Sequence, residues 1–233
     1  MGSENLLFNP EGKAMTPDEI REKIAPFRYK KATQEIIGRS KGLDKDGKVF
    51  VECTARILSS FGMTRSGPFK GVGIASNGNV NGKEILLECW KEIGDDLITI
   101  RNSVRQDGYS SDRYLLELSS VDRERLIAQI WAMTKRLLPF TIGKTTYGLV
   151  GASKILFAVL PEIVLPVDNQ QWRELFKTVD LGDIIHRMTD DIKQWEDVTK
   201  HKLNEVDRFH KLTTLPSVYN VITMDAKSKL NHQ

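Results

Sequence analysis

One stretch near the middle of the chain, Gly148-Leu-Val-Gly-Ala-Ser-Lys-Ile-Leu-Phe-Ala-Val-Leu-Pro-Glu-Ile-Val-Leu-Pro-Val-Asp168-Asn-Gln-Gln-Trp172, joins a glycine-punctuated turn to a lone aspartate. Gly148 and Gly151 bracket a tight turn, Ala152 to Leu160 reads as an apolar helix, and Pro161 stops it. Leu165-Pro166-Val167 then lifts Asp168 to the start of another helix, beside hydrophobic surface. A carboxylate so placed has two kinds of work open to it. It caps backbone N–H groups, or it stabilises positive charge developing on a reacting carbon and activates water there.

The elements that must position Asp168 are mostly helical by pattern. Thr16-Pro17-Asp18-Glu19 supplies an N-cap, a proline at the first helical position and a capping-box glutamate, so a helix starts at Thr16. Residues 30–48 scatter Gly38, Gly42 and Gly47 among basic residues and suggest a basic loop, while Val49 to Phe61 fits helix or strand. Thr64 to Gly82, with Gly67, Gly71, Gly73, Gly78 and Gly82, reads as a loop or an irregular pair of short strands. Glu84 to Ile93 looks helical, Leu97 to Arg101 alternates like a short strand, and Gln106 to Arg113 is a turn. Ser119 caps a strong helix with Ile127, Ile130, Trp131, Thr134, Leu137 and Leu138 on one face. Thr178 to His201 repeats the pattern with Leu181, Ile184, Ile185, Met188, Ile192, Trp195 and Val198.

These signals predict a mainly α fold, with strands around residues 49 and 98 as a small α+β component. It divides into a flexible lead-in (1–15), an N-terminal part (16–118), a helical part with the glycine turn and Asp168 (119–205), and a tail that packs back or frays (206–233). The cleft between the two helical parts would hold Asp168.

Composition narrows the classes. A 233-residue chain with 40% hydrophobic and 28% charged residues is that of a globular, soluble protein. The net charge of +3 is compatible with DNA without pointing to it. Cys53 and Cys89, with no signal peptide ahead of them, read as reduced, buried thiols of a cytoplasmic protein. The apolar run Ile155 to Leu160 falls far below the ~20 residues a membrane span needs.

Other motifs fail on spacing. Ile142-Gly143-Lys144-Thr145-Thr146 has the tail of a phosphate loop, but Leu138 stands where Walker A needs a glycine. Gly71-Val-Gly73 lacks the third glycine of a dinucleotide turn. In Asp44-Lys-Asp46-Gly47 the final calcium ligand would be Cys53. Glu88-Cys-Trp-Lys91 has one residue too many for a restriction-type nuclease, and His186, His201, His210 and His232 form no metal-ligand pair on one helix. No cofactor or metal is expected.

The 148–172 layout resembles the helix-hairpin-helix DNA glycosylases over about 35 of 233 residues. Their hairpin reads Leu-Pro-Gly-Val-Gly-x-Lys and is followed by an apolar helix and Val-Pro-Val-Asp, with an aromatic one turn later. Here the ending is Leu-Pro-Val-Asp168, then Trp172. The resemblance implies that Asp168 is the catalytic carboxylate at the sugar of a flipped-out nucleotide. It also implies that the turn holds a DNA phosphate through Gly148, Val150 and Gly151, assisted by Lys144 and Lys154. Two departures matter. The turn has two residues between its glycines instead of one, and Ser153 falls at the family's lysine position. Lys154 lies one residue beyond, about 100° around a helix. Either the altered turn moves Lys154 inward or the chain has no Schiff-base lysine. The second alternative, preferred here, implies a monofunctional enzyme that leaves an abasic site.

The implied function is hydrolysis of the N-glycosidic bond of a damaged or modified base, in base-excision repair or in defence against modified phage DNA. The partner would be DNA, double-stranded, bound by a monomer. The base must leave the stack and enter a pocket with aromatic or apolar walls. Trp172, Tyr147, Gln170 and Gln171 are the candidates for that pocket, whereas Phe157 and Trp131 fall in core phase. The rivals are a non-catalytic DNA-binding module in which Asp168 is only a cap, and a restriction-type nuclease.

Overall fold

The computed structural model describes residues 5–106, 111–142, 148–207 and 212–230. Helix α1 (Pro17–Ile24) opens on the expected capping box. The Glu19 N–H donates to Thr16 Oγ1 at 3.2 Å, and the Thr16 N–H donates to the Glu19 carboxylate at 2.6 Å. Helices α2 (Lys30–Arg39) and α3 (Lys48–Ser60) follow. The stretch 30–48, expected as a basic loop, is therefore helical over its first half, and residues 49–61 resolve as helix. The buried residues of α3, Phe50, Val51, Cys53, Thr54, Ala55, Ile57 and Leu58, form one face, with Lys48, Glu52, Arg56 and Ser59 on the other.

The glycine-rich segment is an irregular pair of short strands. Strand β1 (Gly73–Ile74) pairs antiparallel with β2 (Val80–Asn81), Gly73 opposite Asn81 and Ile74 opposite Val80. Helix α4 (Glu84–Gln106) runs unbroken through the expected strand at Leu97 to Arg101 and ends where the turn Gln106 to Arg113 was expected, of which residues 107–110 lie outside the described residues. Its glycine, Gly94, lies against the Trp90 indole, where an added Cβ would meet ring carbons at 2.8 Å.

Helices α5 (Tyr114–Glu117), α6 (Ser120–Thr141), α7 (Leu149–Val159), α8 (Leu181–Thr199) and α9 (Leu215–Leu230) complete a mainly helical chain. Every residue of α7 is buried. It forms the axis of the core, with α3 and α6 packed along it; α4 and α8 pack on α6, and α9 packs on α1. The stripes expected on α6 and α8 face this core, except that Val198 is exposed. Cys53 and Cys89 are free, buried thiols, pushed up to about 12 by burial. Among the described residues no helix is long and apolar enough to cross a membrane.

One segment departs from its sequence reading, and the tail takes the first of its two alternatives. Over residues 5–15 the lead-in is fastened rather than flexible. The Asn5 amide donates to Asp191 O at 3.0 Å, the Leu6 N–H to the Asp191 carboxylate at 3.2 Å, and the Trp195 indole N–H to Met15 O at 2.7 Å. Residues 215–230 of the tail form α9, which buries Val218, Tyr219, Val221 and Ile222.

The glycine pair splits into two roles. Gly148 takes a left-handed φ of +84° as the N-cap of α7. A Cβ there would meet Thr141 Oγ1 at 2.8 Å and Leu138 O at 3.1 Å. Gly148→Ala is expected to cost more than about 1 kcal/mol in urea unfolding; an unchanged midpoint would contradict that backbone. Gly151 does not close the turn. It sits inside the first turn of α7, where its missing side chain admits Thr141 and Phe69, each about 3 Å from an added Cβ.

Candidate active site

The segment leaving α7 is set from two sides. Ser153, on α7, anchors its far end: the Val167 N–H donates to Ser153 Oγ at 3.1 Å, and the hydroxyl faces Val150 O and Val167 O at 3.1 and 3.2 Å. The near end is held by a fully buried ion pair between Arg101 on α4 and Glu162, in the turn after α7. Arg101 Nη1 lies 2.7 Å and Nη2 3.2 Å from the two carboxylate oxygens, and Nη2 also donates to Val159 O. The chain between these ties, Ile163 to Val167, is buried and delivers Asp168 to one place.

Asp168 caps the next helical turn reciprocally. Its Oδ1 accepts the Gln171 N–H at 3.0 Å, while its own N–H donates to Gln171 Oε1 at 2.8 Å. That turn continues as a π-helical segment, Gln171–Phe176, a geometry found often at functional sites. The second carboxylate oxygen pairs with the Lys227 ammonium of α9. Lys227 is 59 residues away in sequence and no local pattern points to it.

Lys154 has the least ordinary environment. Its side chain is 4% exposed, and its ammonium lies 4.9 Å from the centre of the Phe61 ring. Among the described residues it has no hydrogen-bond or ion-pair partner. Burial pushes its pKa down to about 8; the nearby Asp168 carboxylate opposes that shift and Lys227 adds to it. Lys154 is thus turned into the interior. The signal was available, because a helix apolar all round is buried all round, and a lysine within it goes inside too.

The pocket candidates fare differently. Trp172 is 3% exposed and belongs to the core instead of a cleft; its indole N–H is buried without a partner among the described residues. Gln171 is fully engaged, its Oε1 on the Asp168 N–H and its Nε2 donating to Thr223 Oγ1 at 2.7 Å, so it has no edge left to read a base. Gln170 is half-buried and donates to Glu174 at 2.9 Å. Lys144 and Tyr147 lie outside the described residues. Val150 and Gly151 are buried, and what they could offer a phosphate is their N–H groups at the start of α7, not their surface.

The aromatic group nearest the charged cluster lies on other elements. Phe61 and Tyr29 stack at 4.0 Å with a 15° interplanar angle, and Phe27 meets Tyr29 edge-on at 5.7 Å. Phe61 is fixed by the end of α3, where the Gly62 N–H bonds Ser59 O and the Met63 N–H bonds Leu58 O, with Gly62 at φ +71°. The run Phe27-Arg28-Tyr29-Lys30-Lys31 mixes aromatic and basic residues and was the readable signal for this wall.

The site thus joins a capped carboxylate, a buried amine and an aromatic face, set by α3, α7 and α9. Comparison of the chain with protein-family models, with characterised proteins and with solved structures gives no match.

Proposed function

We propose that the protein is a DNA glycosylase of the helix-hairpin-helix type, with Asp168 as its catalytic carboxylate. The observation that carries the reading is the buried amine of Lys154, within α7, close enough to the fixed carboxylate of Asp168 for that charge to hold its pKa up. Departure of a base leaves positive charge on the sugar C1′, and a carboxylate held rigidly there stabilises it or takes a proton from the attacking water. The cap on Asp168 Oδ1 and the Lys227 pair on Oδ2 hold both oxygens in place, so little reorganisation is needed.

The test is incubation with a panel of damaged and naturally modified DNAs in EDTA, followed by alkali to break abasic sites. Alkali-dependent breaks on one class of DNA would establish the activity and name the base. Binding without breaks on any DNA would favour the binding module, and breaks that require a divalent metal and no alkali would favour the nuclease.

The position of Lys154 supports a lyase step in addition to base release. Its neutral amine would form the N–C1′ bond as the base–C1′ bond breaks, the base leaving with a proton; loss of the amine proton and ring opening give an imine. Borohydride adds hydride to that C=N bond and leaves protein and DNA linked. Only the free amine attacks, so with a pKa of about 8 trapping is expected to be weak at pH 6.5 and to rise through pH 8 to a plateau. Lys154→Met should form no adduct. A wild-type protein that releases base but cannot be trapped at any pH would restore the monofunctional reading.

A further inference from the structure

The aromatic face over Lys154 does not stand alone. Beside it, between α2, the end of α3 and β1, runs a groove of about 550 Å³. Arg28, Lys31 and Arg56 line it with the hydroxyls of Ser59 and Thr64, and Glu35 is the one carboxylate. Arg56 holds Glu35 at 2.5 Å and so offsets its charge, which leaves Arg28 and Lys31, both exposed, to set the sign of the groove. The groove borders the Tyr29–Phe61 stack directly, since Arg28 precedes Tyr29 and lies 5.7 Å from its ring centre, and Ser59 lies two residues before Phe61. The order in space is therefore cationic groove, aromatic pair, Lys154, Asp168.

We infer that this groove carries the phosphates of the DNA strand that enters the site, with Tyr29 and Phe61 as the stacking surface for its bases. The inference rests on the glycosylase reading and adds a second DNA contact, independent of the turn at Gly148. A groove that alternates guanidinium, ammonium and hydroxyl groups suits a phosphodiester chain, whose oxygens accept from all three. Aromatic rings at its end suit bases of any identity, because every base has a π face. An acidic peptide would use the cations but would gain less from the half-buried aromatic pair beside the groove.

The test is fluorescence anisotropy with labelled single-stranded and duplex oligonucleotides, on wild type, R28A/K31A and Y29A, with base release measured separately. Both groove cations are exposed, so their removal leaves the core intact. At about 50 mM salt R28A/K31A is expected to bind ~10-fold more weakly, and its salt slope on single strands to fall by roughly 1 to 2. Y29A is expected to lose about tenfold on single strands with its salt slope unchanged. If R28A/K31A keeps wild-type affinity and slope while the wild type releases base, the groove inference is overturned and the glycosylase reading stands. If the variants lose affinity as stated but no DNA loses a base, the groove stands and the glycosylase reading falls. A wild type that binds neither single strands nor duplex overturns the groove outright.

Discussion

Asp168→Asn is expected to release base about 10³-fold more slowly than wild type in single-turnover assays, with almost no loss of fold. The substitution separates the two roles of this side chain because asparagine caps a helix as well as aspartate does. The bond from the Gln171 N–H to Oδ1 survives, as does the reciprocal bond from the residue 168 N–H to Gln171 Oε1. What disappears is charge. The pair with Lys227 is partly exposed, with side-chain exposures of 18% and 27%, and is worth at most about 1 kcal/mol. Lys154 also loses the carboxylate that holds its pKa up, so borohydride trapping by the variant, where detectable, should begin at lower pH than in wild type. Base release within a few-fold of wild type would reduce Asp168 to a cap.

The largest effect on stability is expected at the buried pair behind the site. Glu162→Gln keeps the size of the side chain but leaves the Arg101 guanidinium, 2% exposed, without its counter-charge. Breaking one side of such a pair costs about 3–5 kcal/mol, and urea unfolding should show a loss of that order. Replacing both partners together, as Arg101→Met with Glu162→Leu, removes the stranded charge and is expected to recover most of the loss, because an apolar pair of similar volume often matches a buried ion pair. A cycle in which the two single losses simply add would mean that the residues do not face each other. The turn held by Arg101 leads to Asp168, so Glu162→Gln should also slow base release under conditions where the protein stays folded.

Much of the scaffold was legible because it is local. The capping box at Thr16, the cap at Ser119 and the stripes of α6 and α8 are all written within one or two turns of chain. The interior of α4 was not. Leu97, Ile100, Arg101 and Val104 are buried at helical spacing, yet Arg101 breaks the stripe for a reader who counts only apolar residues. Its burial is intelligible only with Glu162, 61 residues further on. The site divides in the same way. Asp168 and its cap follow from Asp168-Asn-Gln-Gln171, whereas Lys227, Tyr29 and Phe61 reach it through tertiary packing. Trp172 went to the core because the turn after Asp168 packs against α9, a helix for which the sequence offered no stripe.

The tie between Asp168 and Lys227 also sets a time. During synthesis at 5–20 residues per second, the 59 residues that separate the two take about 3–12 s to emerge. Through that interval a nascent chain already carries the aspartate but has neither the ammonium that steadies it nor the α9 hydroxyl that engages Gln171. A ribosome-bound chain that has not yet yielded α9 therefore holds this carboxylate without either of those ties.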